Sequence, residues 1–280
     1  MTETAIQRRR LFRKSLVIPT EHGSWSWLLV PFFVGAAVAG RIVPEGYPSL
    51  LPLILILVGG LCAFLVRQPA AAWLRIRRGR GNRTDEPLAA GWTFGLALVA
   101  GLCLAGLMAL GRVALLWLVI PFAGVLLLYL VAARGGRAAM RGLWTELIGA
   151  AGLALMAPAA VIAATGRVNL LVWALWGLMA AQNALGVLYV RLRLADTRGR
   201  PTNRSVALWG HVVGLVAVVM AGLLGWVPLL AAVPFAVVLL RVVWAIRRPR
   251  PVADVRRFGF TEVGVEVLSG AWILISYWTW

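Results

Sequence analysis

The chain has 280 residues, 61% of them hydrophobic and only 14% charged, and the apolar residues run in blocks far longer than a soluble core requires. Its net charge of +18 does not indicate nucleic acid, because the 27 arginines and the single Lys14 are confined almost wholly to short gaps between those blocks, as topology signals are. The composition is that of an all-α, polytopic transmembrane helical bundle with the lipid bilayer as its surroundings, and nothing is left over for a soluble domain.

A hydrocarbon core about 30 Å thick takes about 20 helical residues. Nine segments qualify, some only with their interfacial ends: roughly 22–42, 50–68, 89–110, 114–132, 143–164, 169–190, 206–225, 227–246 and 260–279. The basic tail 1–21 precedes them, and residues 22–280 form a single transmembrane domain. Arg8-Arg9-Arg10-Leu11-Phe12-Arg13-Lys14 resembles a twin-arginine export signal, but Glu21, Trp25 and Trp27 interrupt the segment and further spans follow, so the first segment is read as a retained span. Lys and Arg number five before the first segment, six in 67–83, three in 134–141, five in 191–204 and five in 247–257. The intervening gaps hold only Arg41, Arg112 and Arg167. This alternation puts the N-terminus in the cytoplasm and the C-terminus outside, with Trp278 and Trp280 as anchors at the outer interface. Cys62 and Cys103 lie inside apolar blocks and read as small packing residues, not as a disulfide or a metal site.

Polar groups at membrane depth are costly, so their positions carry the most information. "PTEHGSWSW" at 19–27 brings Glu21 and His22 into the first segment from the cytoplasm, and Arg67 and Gln68 close the second there. Glu146 enters the fifth, Gln182 and Asn183 lie past the middle of the sixth, and His211 sits just inside the seventh. Arg241 is one to two turns from the inner end of the eighth, and Glu262 and Glu266 share a face of the ninth at i,i+4. All fall in the cytoplasmic half, which predicts a polar bowl open to the cytoplasm and no continuous conduit.

Each position also has a structural reading. Thr20 is a good N-cap and Glu21 suits the first turn of a helix dipole, an effect of ~0.3–1 kcal/mol. Histidines near an interface, such as His22 and His211, are often hydrogen-bonded bystanders, and Arg241 has a stem long enough to snorkel to the inner headgroups. Glu262 and Glu266 have the option of serving as first-turn charges, and an interhelical hydrogen bond would account for Asn183.

The ends of the second and sixth segments resemble one another. Arg75-Ile-Arg77 is followed by Gly79-Arg80-Gly81-Asn82-Arg83, and Arg191-Leu-Arg193 by Gly199-Arg200-Pro201-Thr202-Asn203-Arg204. Matching the RxR triplets sets Arg67 on Asn183 and Arg75 on Arg191, with 67, 71, 75 and 183, 187, 191 each along one helical face. Two helix–loop units of parallel topology are therefore expected to face each other across the bowl.

"PTEHGSWSWLLVPFFVG", "RQP" at 67–69 and "NALGVLYVRLR" at 183–193 together resemble the YwiC-like family of bacterial membrane proteins, which implies a multi-pass protein of the bacterial cytoplasmic membrane and brings no defined activity. The architecture is also similar to that of the UbiA superfamily of intramembrane prenyltransferases. That resemblance implies nine helices, a cytoplasmic N-terminus and, after the second and sixth, Asp-rich motifs that hold magnesium against a prenyl diphosphate. The family's Asn-xxx-Asp-xxx-Asp spacing is filled here by Asn183, Val187 and Arg191, or by Arg67, Ala71 and Arg75. Magnesium prefers clustered carboxylate oxygens, and the two loops offer only Asp85, Glu86 and Asp196 among eleven arginines, so a two-magnesium site is not expected. Arginine binds phosphate or carboxylate directly. No cofactor or metal is therefore assigned, and no catalytic residue. The expected ligand is an anionic lipid or isoprenoid headgroup on Arg67, Arg75, Arg191 and Arg193, with Glu21, His22, Glu146, Glu262 and Glu266 lining or balancing the cavity.

Three functions remain open: a lipid-anion binding protein or transferase, a small-molecule or anion transporter, and a non-catalytic membrane assembly subunit. The parallel repeat and the apolar outer halves weigh against a transporter built on inverted repeats.

Overall fold

A computed structural model describes residue 16 and residues 22–42, 50–134 and 142–280, and every regular element among them is a helix. In chain order these are α1 (His22–Ile42), α2 (Leu50–Arg77), α3 (Glu86–Ala109), α4 (Val119–Arg134), α5 (Leu143–Leu153), α6 (Met156–Thr165), α7 (Leu170–Thr197), α8 (Arg204–Leu223), α9 (Ala232–Arg247) and α10 (Val255–Trp278). Eight stretches are long and apolar enough to cross a membrane, with α5 and α6 counted as one and α9 taken with its leading 3₁₀ turn Leu229–Ala231. The segment expected at 114–132 begins as a 3₁₀ turn, Val113–Leu118, and continues as α4. The protein is a polytopic helical bundle and a multi-pass membrane protein.

Two helices run further than the apolar pattern reaches. The segment expected to close near 68 continues to Arg77 through Pro69, and the one expected to end at 190 continues to Thr197. Their added turns are polar and basic, and cations suit the C-terminal end of a helix dipole.

The segment expected as one helix over 143–164 is broken at Ala154 and Leu155. Pro158 has no N–H for Ala154 O. A tight turn forms instead, in which Ala157 N donates to Ala154 O at 3.0 Å and Leu155 N to Gly152 O at 3.2 Å. Ala151 O thereby loses the donor an α-helix would give it, and Trp176 Nε1 supplies one at 3.1 Å. A lipid-embedded backbone has no water to fall back on, so such substitutions are required wherever a helix is interrupted.

Contacts divide the chain into two units, one containing Leu55–Gly106 and the other His22–Ile54 with Leu107–Trp280. In the first, α2 and α3 meet at small residues: Gly59 lies against Cys103, and Gly106 against Leu55. Towards the connecting loop Ala72, Ile76 and Ala89 form a small core, and Trp73 meets Phe94 edge-on at 5.4 Å. In the second unit, α1 packs against both α6 and α10. A Cβ added at Gly35 would collide with Ala157 O of α6, and one added at Gly270 of α10 would collide with Val30. Close approach of this kind is what small residues permit between membrane helices. Helix α6 is buried from Met156 to Ala164, and half of its residues are alanine. Helix α7 packs on α5, α6 and α8, and α8 on α9.

The internal resemblance extends beyond the loops, in a shifted register. Helices α2 and α7 are each 28 residues long, and α4 and α9 are each 16. Each 28-residue helix ends in the same motif. Gly79 (φ 72°) and Gly199 (φ 59°) take the left-handed conformation, Arg80 N donates to Arg75 O at 2.9 Å, and Arg200 N donates to Ala195 O at 3.0 Å. Asn82 and Asn203 then cap the next helical turn. Helix ends and left-handed glycines therefore set Arg75 on Ala195 and Arg67 on Val187, one turn away from the register given by the RxR triplets.

Candidate functional site

Helix α7 carries two polar faces. Asn183, Val187 and Arg191 step by four along one, and Gln182, Tyr189 and Arg193 lie along the other at steps of seven and four.

On the first face Asn183 is fully buried, and its Nδ2 donates to Trp27 O of α1 and to Ala150 O of α5, both at 3.0 Å. The Trp27 carbonyl is the one Pro31 deprives of its α-helical donor, because Pro31 stands four residues later inside α1. Asn183 thus joins three helices and repairs one of them. Its Oδ1 has no hydrogen-bond partner among the described residues. Two turns further on, Arg191 Nη1 donates to Glu146 Oε2 of α5 at 2.7 Å.

On the second face Gln182 Nε2 donates to Glu266 Oε1 of α10 at 2.8 Å and to the Glu266 carbonyl at 3.2 Å. Both residues are buried. One turn along α10, Glu262 takes both terminal nitrogens of Arg241 from α9: Nη1 donates to Oε2 at 2.9 Å and Nη2 to Oε1. Bidentate pairing leaves the Arg241 guanidinium flat, and it stacks 4.1 Å above the Tyr189 ring. Beneath them Tyr189, Leu192, Ala207, Val242 and Ala245 form an apolar core with Phe258 against it. His211, one turn from Ala207 on α8, is buried with Nδ1 2.7 Å from Ala207 O. A carbonyl only accepts, so Nδ1 carries a proton, and Nε2 has no partner among the described residues.

Arg193 differs from its neighbours. Arg191, Arg204 and Arg241 are each bonded to a carboxylate, of Glu146, Asp196 and Glu262 respectively. The Nε and Nη1 of Arg193 are buried with no hydrogen-bond partner among the described residues. These pairings tie together the C-terminal ends of α7 and α9 and the N-terminal ends of α5, α8 and α10, so those five helix ends lie at one end of the unit.

In the other unit Arg67 stacks 4.3 Å from the Phe64 ring, and Arg75 is exposed near the end of α2. Gln68 is partly buried one residue after Arg67. Glu21 and the side chain of His22 lie outside the described residues. Of the expected site residues, then, Gln182 with Glu266, Arg191 with Glu146, and Arg241 with Glu262 are brought together. Among the described residues the hydrogen-bond partners of Asn183 are backbone carbonyls.

Sequence reasoning missed Tyr189, Arg204 and Asp196. It also missed the reason for Asn183, although the signal was present: a proline inside an apolar helix marks a carbonyl four residues earlier that needs another donor.

The loops after α2 and α7 do not suit the two-magnesium site that the prenyltransferase resemblance implies. Asp196 gives Oδ1 to Arg204 at 2.9 Å and keeps only Oδ2 without a partner, Glu86 lies 3.6 Å from Arg77, and among the described residues no three of His, Cys, Asp and Glu gather where one ion would reach them.

The YwiC-like protein family matches residues 18–161, a stretch that starts before α1 and ends within α6. Among curated proteins and among solved structures no match is found. With just over half of its length matched, the chain belongs to the YwiC-like protein family.

Proposed function

We propose that this membrane protein binds an anionic headgroup, of a lipid or an isoprenoid phosphate or diphosphate, at the cytoplasmic end of its helices and without a two-magnesium site. The observation that carries this reading is an excess of arginine at one end of the bundle. Between residues 191 and 266 the chain has eleven arginines against four acids. Asp196 and Glu262 are already bonded to arginine, Glu266 to Gln182, and Asp254 caps α10. An anion from outside is the natural counter-charge for what remains. Arginine-rich gaps of this kind face the cytoplasm by the positive-inside rule, which fits a bacterial cytoplasmic membrane. With α4 counted as a span, the two matched loops fall after the second and the sixth, which supports a UbiA-like arrangement.

The test is thermal unfolding of the purified protein in detergent with EDTA. Anionic phospholipid or an isoprenyl diphosphate is expected to raise the melting temperature. No shift at saturating ligand overturns the reading, and a shift that appears only with added magnesium overturns its metal-free form.

One observation favours a small-molecule or anion transporter as the second reading, the discontinuous helix α5–α6. The carbonyl freed at its break is sealed by Trp176 and so is not offered to a passing ion. Ligand uptake into proteoliposomes decides for transport.

A further inference from the structure

We infer that the loops after α7 and α9 form one receptor surface, and that its occupant is an inner-leaflet lipid carrying two phosphates. This rests on the headgroup reading and adds the place and the class of lipid.

The two loops are far apart in sequence and joined in space. Val252 N donates to Thr197 Oγ1 at 2.9 Å, and Thr197 Oγ1 donates in turn to Arg193 O at 2.8 Å. Arg204 ties the same segments a second time: Nη1 donates to Ile246 O at 3.1 Å and Nη2 to Asp196 Oδ1 at 2.9 Å. Segments 196–204 and 246–252 are therefore held against each other by one hydroxyl and one guanidinium.

The other cations of both segments are left over. Arg198 and Arg200 in the first, and Arg247, Arg248 and Arg250 in the second, are exposed, and none is paired with a carboxylate among the described residues. The acids of these loops are engaged elsewhere. Asp196 gives Oδ1 to Arg204 and its Oδ2 is buried, while Asp254 caps α10 and lies 3.6 Å from Arg257. Water solvates each exposed guanidinium, but like charges fixed on one surface repel, and a polyanion relieves that repulsion. Arginine forks take phosphate oxygens directly, without a metal.

The surroundings select a lipid over a soluble anion. Trp244 lies one turn before Arg247 on α9, Trp209 lies five residues after Arg204 on α8, and both are exposed. Exposed indoles near the ends of membrane helices mark the headgroup level, which sets the arginines of both loops at that level or just beyond it. Two phosphates follow from there being two loops. A phosphate on one loop leaves the other unoccupied, whereas a second phosphate on the same molecule meets the other loop at the high effective concentration that linkage gives.

The experiment compares four full-length proteins by thermal unfolding in detergent with EDTA. They are the unsubstituted protein, Arg198→Gln with Arg200→Gln, Arg247→Gln with Arg248→Gln, and the control Arg78→Gln with Arg80→Gln, which removes the same charge from exposed positions after α2. Each is titrated with cardiolipin, with phosphatidylglycerol at equal phosphate, and with inorganic pyrophosphate. The unsubstituted protein and the control are expected to reach half-saturation with cardiolipin at a concentration about tenfold lower than with phosphatidylglycerol. Either loop variant is expected to lose that preference, since the remaining loop engages one phosphate. Substitution at exposed positions leaves folding intact, so lost binding is not lost structure. Equal loss in the control and the loop variants assigns the effect to overall charge and overturns the site, with the headgroup reading left standing. Equal affinity of the unsubstituted protein for the two lipids does the same. A shift with pyrophosphate that matches the one with cardiolipin makes the ligand a soluble anion and overturns the lipid. No shift with either lipid overturns this site, and if isoprenyl diphosphate gives none either, the headgroup reading falls with it.

Discussion

Asn183 Nδ2 stands in for the amide hydrogen that Pro31 cannot provide: it donates to Trp27 O, the carbonyl four residues before the proline, across 3.0 Å. The same amide group also holds Ala150 O. Asn183→Leu leaves two buried carbonyls without that donor and is expected to cost about 1–3 kcal/mol, read as a lower melting temperature or denaturant midpoint. Pro31→Ala returns an N–H to Trp27 O. In that background the substitution at 183 is expected to cost less, and a double-mutant cycle with zero coupling would sink the assignment.

A second proline shows the same chemistry. Pro234 takes from Leu230 O its α-helical donor, and Trp272 Nε1 of α10 donates there at 3.0 Å. Trp272→Phe keeps the ring and removes the N–H, with an expected loss of about 1 kcal/mol. If Trp272→Phe melts with the unsubstituted protein, the indole is only an apolar surface.

The Arg241–Glu262 pair is partly buried between α9 and α10. Glu262→Gln leaves the guanidinium without its counter-charge and is expected to destabilise by about 3–5 kcal/mol. The exchange Arg241→Glu with Glu262→Arg is expected to recover part of that loss in the same unfolding assay. An exchange no better than the single variant argues that the geometry of Tyr189 beneath the pair, and not the charge balance, is what matters.

Gly35→Ala places a methyl into the Ala157 carbonyl, where backbone must move to make room. The expected cost is about 1–3 kcal/mol through separation of α1 from α6. Gly177→Ala, with nothing within 4 Å of the added carbon, is the control and is expected to stay within about 0.5 kcal/mol.

The arginine count predicts orientation. A periplasmic reporter such as alkaline phosphatase fused after Trp280 is expected to be active, and one fused after Gly199 inactive. The opposite pattern would turn the arginine-rich end of the bundle to the outside and remove the basis for a cytoplasmic headgroup.

Much of the architecture was legible without coordinates. Span positions followed from unbroken apolar runs, because a bilayer imposes length and backbone satisfaction on any segment that crosses it. The first span, expected over 22–42, is His22–Ile42. Where α2 and α7 end was not legible, because their last turns are polar and hydropathy falls silent there. The break in α5–α6 was hidden too, since its residues are apolar throughout and only the carbonyls record it.

The amino-acid sequence by itself determined the class and the YwiC-like resemblance, since those depend on composition and spacing along one chain. Only the tertiary structure decided what each polar group does. Pairing is a matter of which helices touch and at what height, and the same spacing of four that puts Asn183 and Arg191 on one face of α7 serves a carbonyl repair at one and an ion pair with Glu146 at the other.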